Sequence, residues 1–194
     1  DHGEALRKAE CLGIKRVSTN IQEAIQGVDL ILILNRFGEE RFEIAKMALS
    51  AEKPVFADKP LAMNMKQANA VVEMYQKRQV PLFSTSAFRL AGDTQKFKAR
   101  LKQEKVIGGT VCGPFECVDL GDDPRLQNIF FYGIHLVEMI QEIFGSGIQS
   151  IKTKRSEKHG DSSVITYHSQ LQVSLHLLKP MVDYYHVTAF TESG

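Results

Sequence analysis

The sequence predicts an α/β chain in two parts: a partial, doubly wound parallel sheet over residues 1–87, then an α+β domain with a mostly antiparallel sheet over residues 88–194. Three observations lead there. VDLILILN (28–35) is a continuous apolar run of strand length, as expected of a parallel sheet covered on both faces. Around it, strand-length and helix-period segments alternate, which implies crossovers between parallel strands. From Ile148 onward the strand-like segments follow one another with turn residues and no helices between them, the pattern of an antiparallel sheet.

In order, EALRKAECL (4–12) reads as a helix and IKRVST (14–19) as a short strand, with Ser18, Thr19 and Asn20 available to cap the helix IQEAIQG. The run at 28–35 is the next strand. EERFEIAKMALSAEK has helical periodicity, with Phe42, Ala45, Met47 and Leu49 on one broad apolar face. PVFAD, MKQANAVVEMYQKRQ and VPLFSTS continue as strand, helix and strand. Past residue 87 a helix at DTQKFKARLKQEK leads into GGTVCGPFECVDLGDDP, whose Gly and Pro content reads as a loop, and then into the helix FYGIHLVEMIQEIFG. Strands follow at IQSIKTKRSE, SSVITYHS, LQVSLHLLK and DYYHVTAF.

Composition excludes several classes of function. Among 194 residues, 24 Lys and Arg stand against 23 Asp and Glu, so no net field is present to hold a polyanion, and no nucleic-acid partner is expected. The apolar fraction of 43% and charged fraction of 24% are those of a globular chain, which sets disorder aside. The longest apolar run is far short of the roughly 20 residues a membrane span needs, so no membrane partner is expected. Cys11, Cys112 and Cys117 form an odd set without a CxxC pair, which fits a reducing compartment and a cytoplasmic location.

Two stretches carry chemistry. FADKPLAMN (56–64) places Asp58, Lys59 and Pro60 at the carboxyl end of a strand, where open parallel sheets bind ligands. Pro60 fixes its own φ and biases Lys59 to extended backbone, so the amine is aimed by the scaffold. Such a lysine can hydrogen-bond a substrate hydroxyl or, once burial lowers its pKa, move a proton; a solvated lysine in a turn is the plainer alternative. In FYGIHLVEM, Glu138 and Glu142 fall three and seven residues after His135, on one polar stripe. Leu136, Val137, Ile140, Ile143 and Phe144 form the apolar stripe, so His135 is expected to face away from the main apolar mass. It is either an acid or base or a structural hydrogen-bonding group. His168, His176 and His186 fall on successive strands, but without acidic or Cys neighbours at ligand spacing no metal site is expected.

Taken together, the stretch from VDLILILNRFGEERF through FADKP to FSTSAFR, followed by YGIH, resembles the Gfo/Idh/MocA family, the glucose-fructose oxidoreductase and inositol dehydrogenase superfamily. DKP stands where these enzymes carry Glu-Lys-Pro, and YGIH where they carry the Gly-x-His of Asp-x-Gly-x-His. The resemblance implies a Rossmann domain, with NAD or NADP as cofactor and a small-molecule sugar or polyol as substrate. It makes Lys59 and His135 the catalytic candidates, Lys59 against substrate and nicotinamide, His135 exchanging the hydroxyl proton. It implies cofactor contacts from Asp1, Asn35, Arg36, Asp58 and Lys59, and substrate contacts from Arg89, Tyr132 and Glu138. It also implies a homodimer or homotetramer paired through the late sheet.

The departures from the family pattern are specific. Phe131 stands where the motif has Asp, Arg36-Phe37-Gly38 stands for the Thr-Pro-Asn loop, and Arg41 for the histidine after it. YGIH followed by Glu138 resembles a variant subgroup. No GxGxxG turn is present, and Asp1 aligns with the end of the family's second strand. The expectation is therefore a chain truncated at its N-terminus. Phe131 and the missing turn favour an alternative: a non-catalytic member that binds a sugar or nucleotide as sensor or scaffold. A reaction that uses the cofactor transiently, such as elimination, is a third reading.

Overall fold

The structure is a computed structural model; it describes residues 2–115, 123, 125, 129–179 and 182–193. Asp1 and Cys117 lie outside them. The chain divides into two compact units, Asp1–Ser84 and Thr85–Gly194.

The first unit carries α1 (His2–Cys11), α2 (Ile21–Ala24), β1 (Ile31–Ile33), α3 (Gly38–Leu49), β2 (Val55–Asp58), α4 (Met65–Arg78) and β3 (Leu82–Thr85), whose last residue belongs to the second unit. The sheet order is β1-β2-β3, and β1 runs parallel to β2 with Ile31, Leu32 and Ile33 opposite Val55, Phe56 and Ala57. Ile31, Ile33, Val55 and Ala57 bury one sheet face against Ala45, Ala48 and Leu49 of α3 and Val71 and Tyr75 of α4. Each such Ile or Val contributes about 1.5–3 kcal/mol through burial. The Tyr75 hydroxyl donates to the Ala45 carbonyl at 2.8 Å, and burial pushes its pKa up to about 12. Asn64 caps α4 by accepting from the Gln67 amide at 2.9 Å.

Three expectations are corrected here. Residues 14–19 form no strand: Arg16 reaches instead to the Gln26 carbonyl at 2.9 Å, and Ile14 is left 53% exposed with no ladder partner. The apolar run forms a strand only at its centre and is covered on one face, since Leu30, Leu32 and Leu34 are exposed. The buried face of α3 is Gly38, Arg41, Ala45, Ala48 and Leu49, which leaves Phe42 and Met47 half-buried at its margin.

The second unit carries α5 (Ala87–Leu90), α6 (Gly92–Leu101), β4 (Val106–Pro114), α7 (Ile129–Phe144), β5 (Ile148–Ser156), β6 (Gly160–Tyr167), β7 (Gln172–Leu178) and β8 (His186–Thr191). Its sheet order is β5-β6-β7-β4-β8, antiparallel except for the β4/β7 pair. Val111, Ile165, Val173, Leu175 and Leu177 of the sheet pack with Leu136 and Ile140 of α7. On α7 the buried apolar side is completed by Met139, while Val137, expected in the stripe, is 46% exposed.

The segment read as a Gly-rich loop begins inside β4, an inner strand of this sheet that runs to Pro114, and residues 116–122 and 124 of it lie outside the described residues. The β4 glycines Gly108, Gly109 and Gly113 serve close packing, not a turn. A Cβ on Gly109 would lie 2.4 Å from the Phe144 ring and 3.0 Å from the Thr188 carbonyl oxygen. Glycine there admits the helix side chain directly over the strand backbone. Among the described residues no helix is long and apolar enough to cross a membrane.

Candidate active site

In the first unit, Asn35, Arg36, Asp58 and Lys59 lie at the carboxyl ends of β1 and β2. Asp58 ends β2; Lys59 follows, half-buried and joined to the buried Pro60 by a cis peptide bond. Asn35 is half-buried beyond β1, its Nδ2 donating to the Phe37 carbonyl at 2.9 Å and to Glu40 at 3.3 Å; Arg36 is exposed. The Asn35 Oδ1 is buried with no hydrogen-bond partner among the described residues.

Sequence reasoning missed the group that holds this corner together. Arg41 is 0% exposed, and its guanidinium donates to the carbonyls of Pro60 and Asn35, tying the loop after β2 to the loop after β1. Burial pulls its pKa below the ordinary arginine value, while Asp58 and Glu40 act in the opposite sense and favour the charge. The signal lay in the spacing, because Arg41 sits on the same helical side as Ala45 and Ala48.

In the second unit, the polar stripe of α7 docks onto the segment that opens the unit. His135 Nδ1 lies 2.5 Å from Ser86 Oγ. One turn on, Glu138 Oε2 accepts from the Thr85 hydroxyl at 2.7 Å and the Ser86 amide at 2.9 Å. A further turn on, Glu142 accepts from Arg89 at 2.8 Å, Lys98 at 2.6 Å and Gln95 at 3.2 Å. The spacing of three and seven residues thus does put these groups on one side. That side is not open: His135 is 7% exposed, with the rings of Phe88, Tyr132 and Tyr185 edge-on to it at 4.9, 5.7 and 5.6 Å. Phe131 is 4% exposed and stacks beside Tyr132. Arg89 is held by Glu142 inside its own unit. Gly133 of the YGIH stretch has a packing reason, since a Cβ there would meet Ile129 at 2.7 Å. Phe88 and Tyr185 also line a cavity of about 660 Å³, together with Phe97, Met139, Ile143 and Tyr184.

Hydrogen bonds from Lys98 and Arg89 draw the Glu142 carboxyl down to about 2, against an ordinary 4.5. A lowered folded pKa contributes stability that is full above the ordinary value and lost as pH falls towards 2. Arg89 and Lys98 are 35% and 39% exposed, so solvent screens the pair. Glu142→Gln is therefore expected to cost about 1 kcal/mol at pH 7. Thermal melts across pH should show that difference shrinking below the ordinary carboxylate range; a constant difference would assign the loss to packing.

A parallel sheet with polar residues gathered beyond its strand ends is the arrangement of nucleotide-binding α/β domains. Residues 1–86 match the model of GFO_IDH_MocA, the oxidoreductase family with an NAD-binding Rossmann fold, and the parallel sheet of this unit is Rossmann-like. Among solved structures, GenD2 from gentamicin A biosynthesis in complex with NAD superimposes with a TM-score of 0.82 at 16% identity, over 100% of this chain and 61% of that one. An oxidoreductase from Agrobacterium radiobacter in complex with NAD+, L-tartaric acid and magnesium gives 0.78 at 18%, over 93% and 59%. A probable dehydrogenase from Thermotoga maritima gives 0.77 at 20%, over 98% and 64%. These likenesses carry the fold through the second unit, and the chain spans about three fifths of the length of those proteins. No curated protein sequence matches the chain.

Proposed function

We propose that this chain serves an NAD(P)-dependent oxidoreductase that interconverts the hydroxyl and carbonyl of a sugar, cyclitol or related polyol. The observation that carries it is His135, a buried imidazole gripped at Nδ1 by Ser86 on a helix that follows an NAD-binding type of fold. A buried ring fixed at one nitrogen has its other nitrogen oriented for proton exchange. Lys59, at the end of β2, hydrogen-bonds and polarises the reacting oxygen, and Tyr132 offers a hydroxyl to substrate.

The residues beyond β1 and β2 would hold the nicotinamide-ribose end of the cofactor. Asn35 Oδ1, buried and without a partner among the described residues, would accept from a carboxamide or ribose hydroxyl, with Asp58 and Lys59 on the neighbouring strand end. When bound, the cofactor supplies two-electron redox chemistry at its nicotinamide. The protein's part is to hold that ring, orient the substrate oxygen and manage its proton. The same reading includes assembly as a homodimer or homotetramer.

The test is turnover followed by NADH and NADPH absorbance over a panel of polyols and their keto forms. Lys59→Met should abolish turnover and leave the circular dichroism spectrum unchanged. Unchanged turnover in that variant would remove Lys59 from the reaction. One observation favours a second reading, a non-catalytic sugar or nucleotide binder: the position of the family's Asp is filled by a buried Phe131. Retention of nucleotide in native mass spectrometry, with no turnover on any polyol, would establish that reading instead.

A further inference from the structure

Ser86 is 0% exposed, and among the described residues its amide and hydroxyl meet three groups of its own unit. Its amide donates to Glu138 at 2.9 Å, its Oγ accepts from the Phe88 amide at 3.2 Å, and the same Oγ lies 2.5 Å from His135 Nδ1. A serine hydroxyl has one proton to donate and two lone pairs to accept with. The Phe88 amide takes one lone pair. The proton of a buried hydroxyl requires an acceptor, and Nδ1 is the one in place. Glu138 fixes where this happens, because it clamps both Thr85 and Ser86 one turn along the helix that carries His135.

We infer that Ser86 is a positioning residue: its hydroxyl donates to Nδ1 and holds neutral His135 as the Nε2–H tautomer with the ring orientation fixed. This deepens the function proposed above and rests on it. In that tautomer His135 presents an N–H donor at Nε2, the form that polarises a carbonyl oxygen. For Nε2 to take a proton from a hydroxyl, the ring proton must first sit on Nδ1, with Ser86 turned from donor to acceptor. Ser86 therefore biases the resting site towards the carbonyl form of the substrate.

The test is long-range 1H–15N NMR on the full chain labelled at histidine, with His135 assigned by loss of its signals in His135→Asn. The expected spectrum shows Nε2 protonated and Nδ1 as a hydrogen-bonded acceptor, and Ser86→Ala shifts the Nδ1 resonance to that of an unbonded nitrogen. In turnover, Ser86→Ala should lower kcat about 10–100-fold, by analogy with the outer partners that orient metal-bound histidines, with KM little changed and partial recovery in Ser86→Thr. A wild-type spectrum with the proton on Nδ1 overturns the inference, even if Ser86→Ala fails to fold. An Nδ1 resonance unmoved by Ser86→Ala overturns it equally. Absence of turnover with the expected spectrum counts against the oxidoreductase reading and leaves the positioning by Ser86 standing.

Discussion

His135→Asn is expected to lower kcat by about 10²–10⁴-fold, the usual contribution of a positioned proton-transfer group, while the melting temperature changes little. The asparagine amide places a polar atom where Nδ1 lies, so it can still meet Ser86 Oγ, which sits 2.5 Å from that nitrogen in the native protein. Nothing in the variant replaces Nε2. A loss of rate at preserved stability would therefore locate the chemistry at the far nitrogen. His135→Phe gives the converse comparison. It fills the space among Phe88, Tyr132 and Tyr185 but leaves the buried Ser86 hydroxyl without its acceptor, a loss of about 1–3 kcal/mol. If His135→Asn turns over at the wild-type rate, the imidazole is only a strut between α7 and the start of the unit.

Much of this was legible in the sequence, and the reasons differ from place to place. The strand β2 and the helix α4 were readable because a short apolar strand and a helix-period run follow local rules that tertiary packing reinforces. The polar stripe on α7 was readable for the same reason: helical spacing alone puts His135, Glu138 and Glu142 together. What spacing does not supply is the partner. Ser86 and Thr85 lie about fifty residues earlier in the chain and carry no local sign of meeting the helix. His135 does lie outside the apolar cluster that holds Leu136 and Ile140, as expected, but it is not open, because the rings of Phe88, Tyr132 and Tyr185 close around it. The β4 strand was read as a loop because its glycines are ordinarily turn signals; their purpose shows only in tertiary packing, with Phe190 close to Gly108, Phe144 over Gly109 and Leu136 against Gly113. The 14–19 segment shows the opposite error. Its β-branched residues suit a strand, but a strand requires a neighbour to share its hydrogen bonds.

Arg41→Met is expected to destabilise the first unit by about 3 kcal/mol, in line with losing buried hydrogen bonds to a charged group. The guanidinium is fully buried and donates to two backbone carbonyls, those of Pro60 and Asn35. Methionine matches the aliphatic stem and fills part of the volume, but it offers no donor. Two carbonyls lose a charge-assisted bond, and the loops beyond β1 and β2 lose the group that joins them. Arg41→Lys separates charge from geometry. Its single ammonium cannot reproduce the planar fork that serves two carbonyls at once, so it should fall between the wild type and Met. Urea unfolding with hydrogen exchange read by mass spectrometry would show where the loss falls. Protection should drop around Asn35, Lys59 and α3, while α7 and the β4–β8 sheet keep theirs. Nucleotide affinity should weaken in step, since the same two loops present Asn35 and Lys59. The opposite outcome is physically possible, because replacing a buried charge by an apolar group can be neutral when its partners find other donors. An Arg41→Met protein as stable as the wild type would mean that this corner is held by the backbone alone, and Arg41 would then drop out of the account of how Lys59 is positioned.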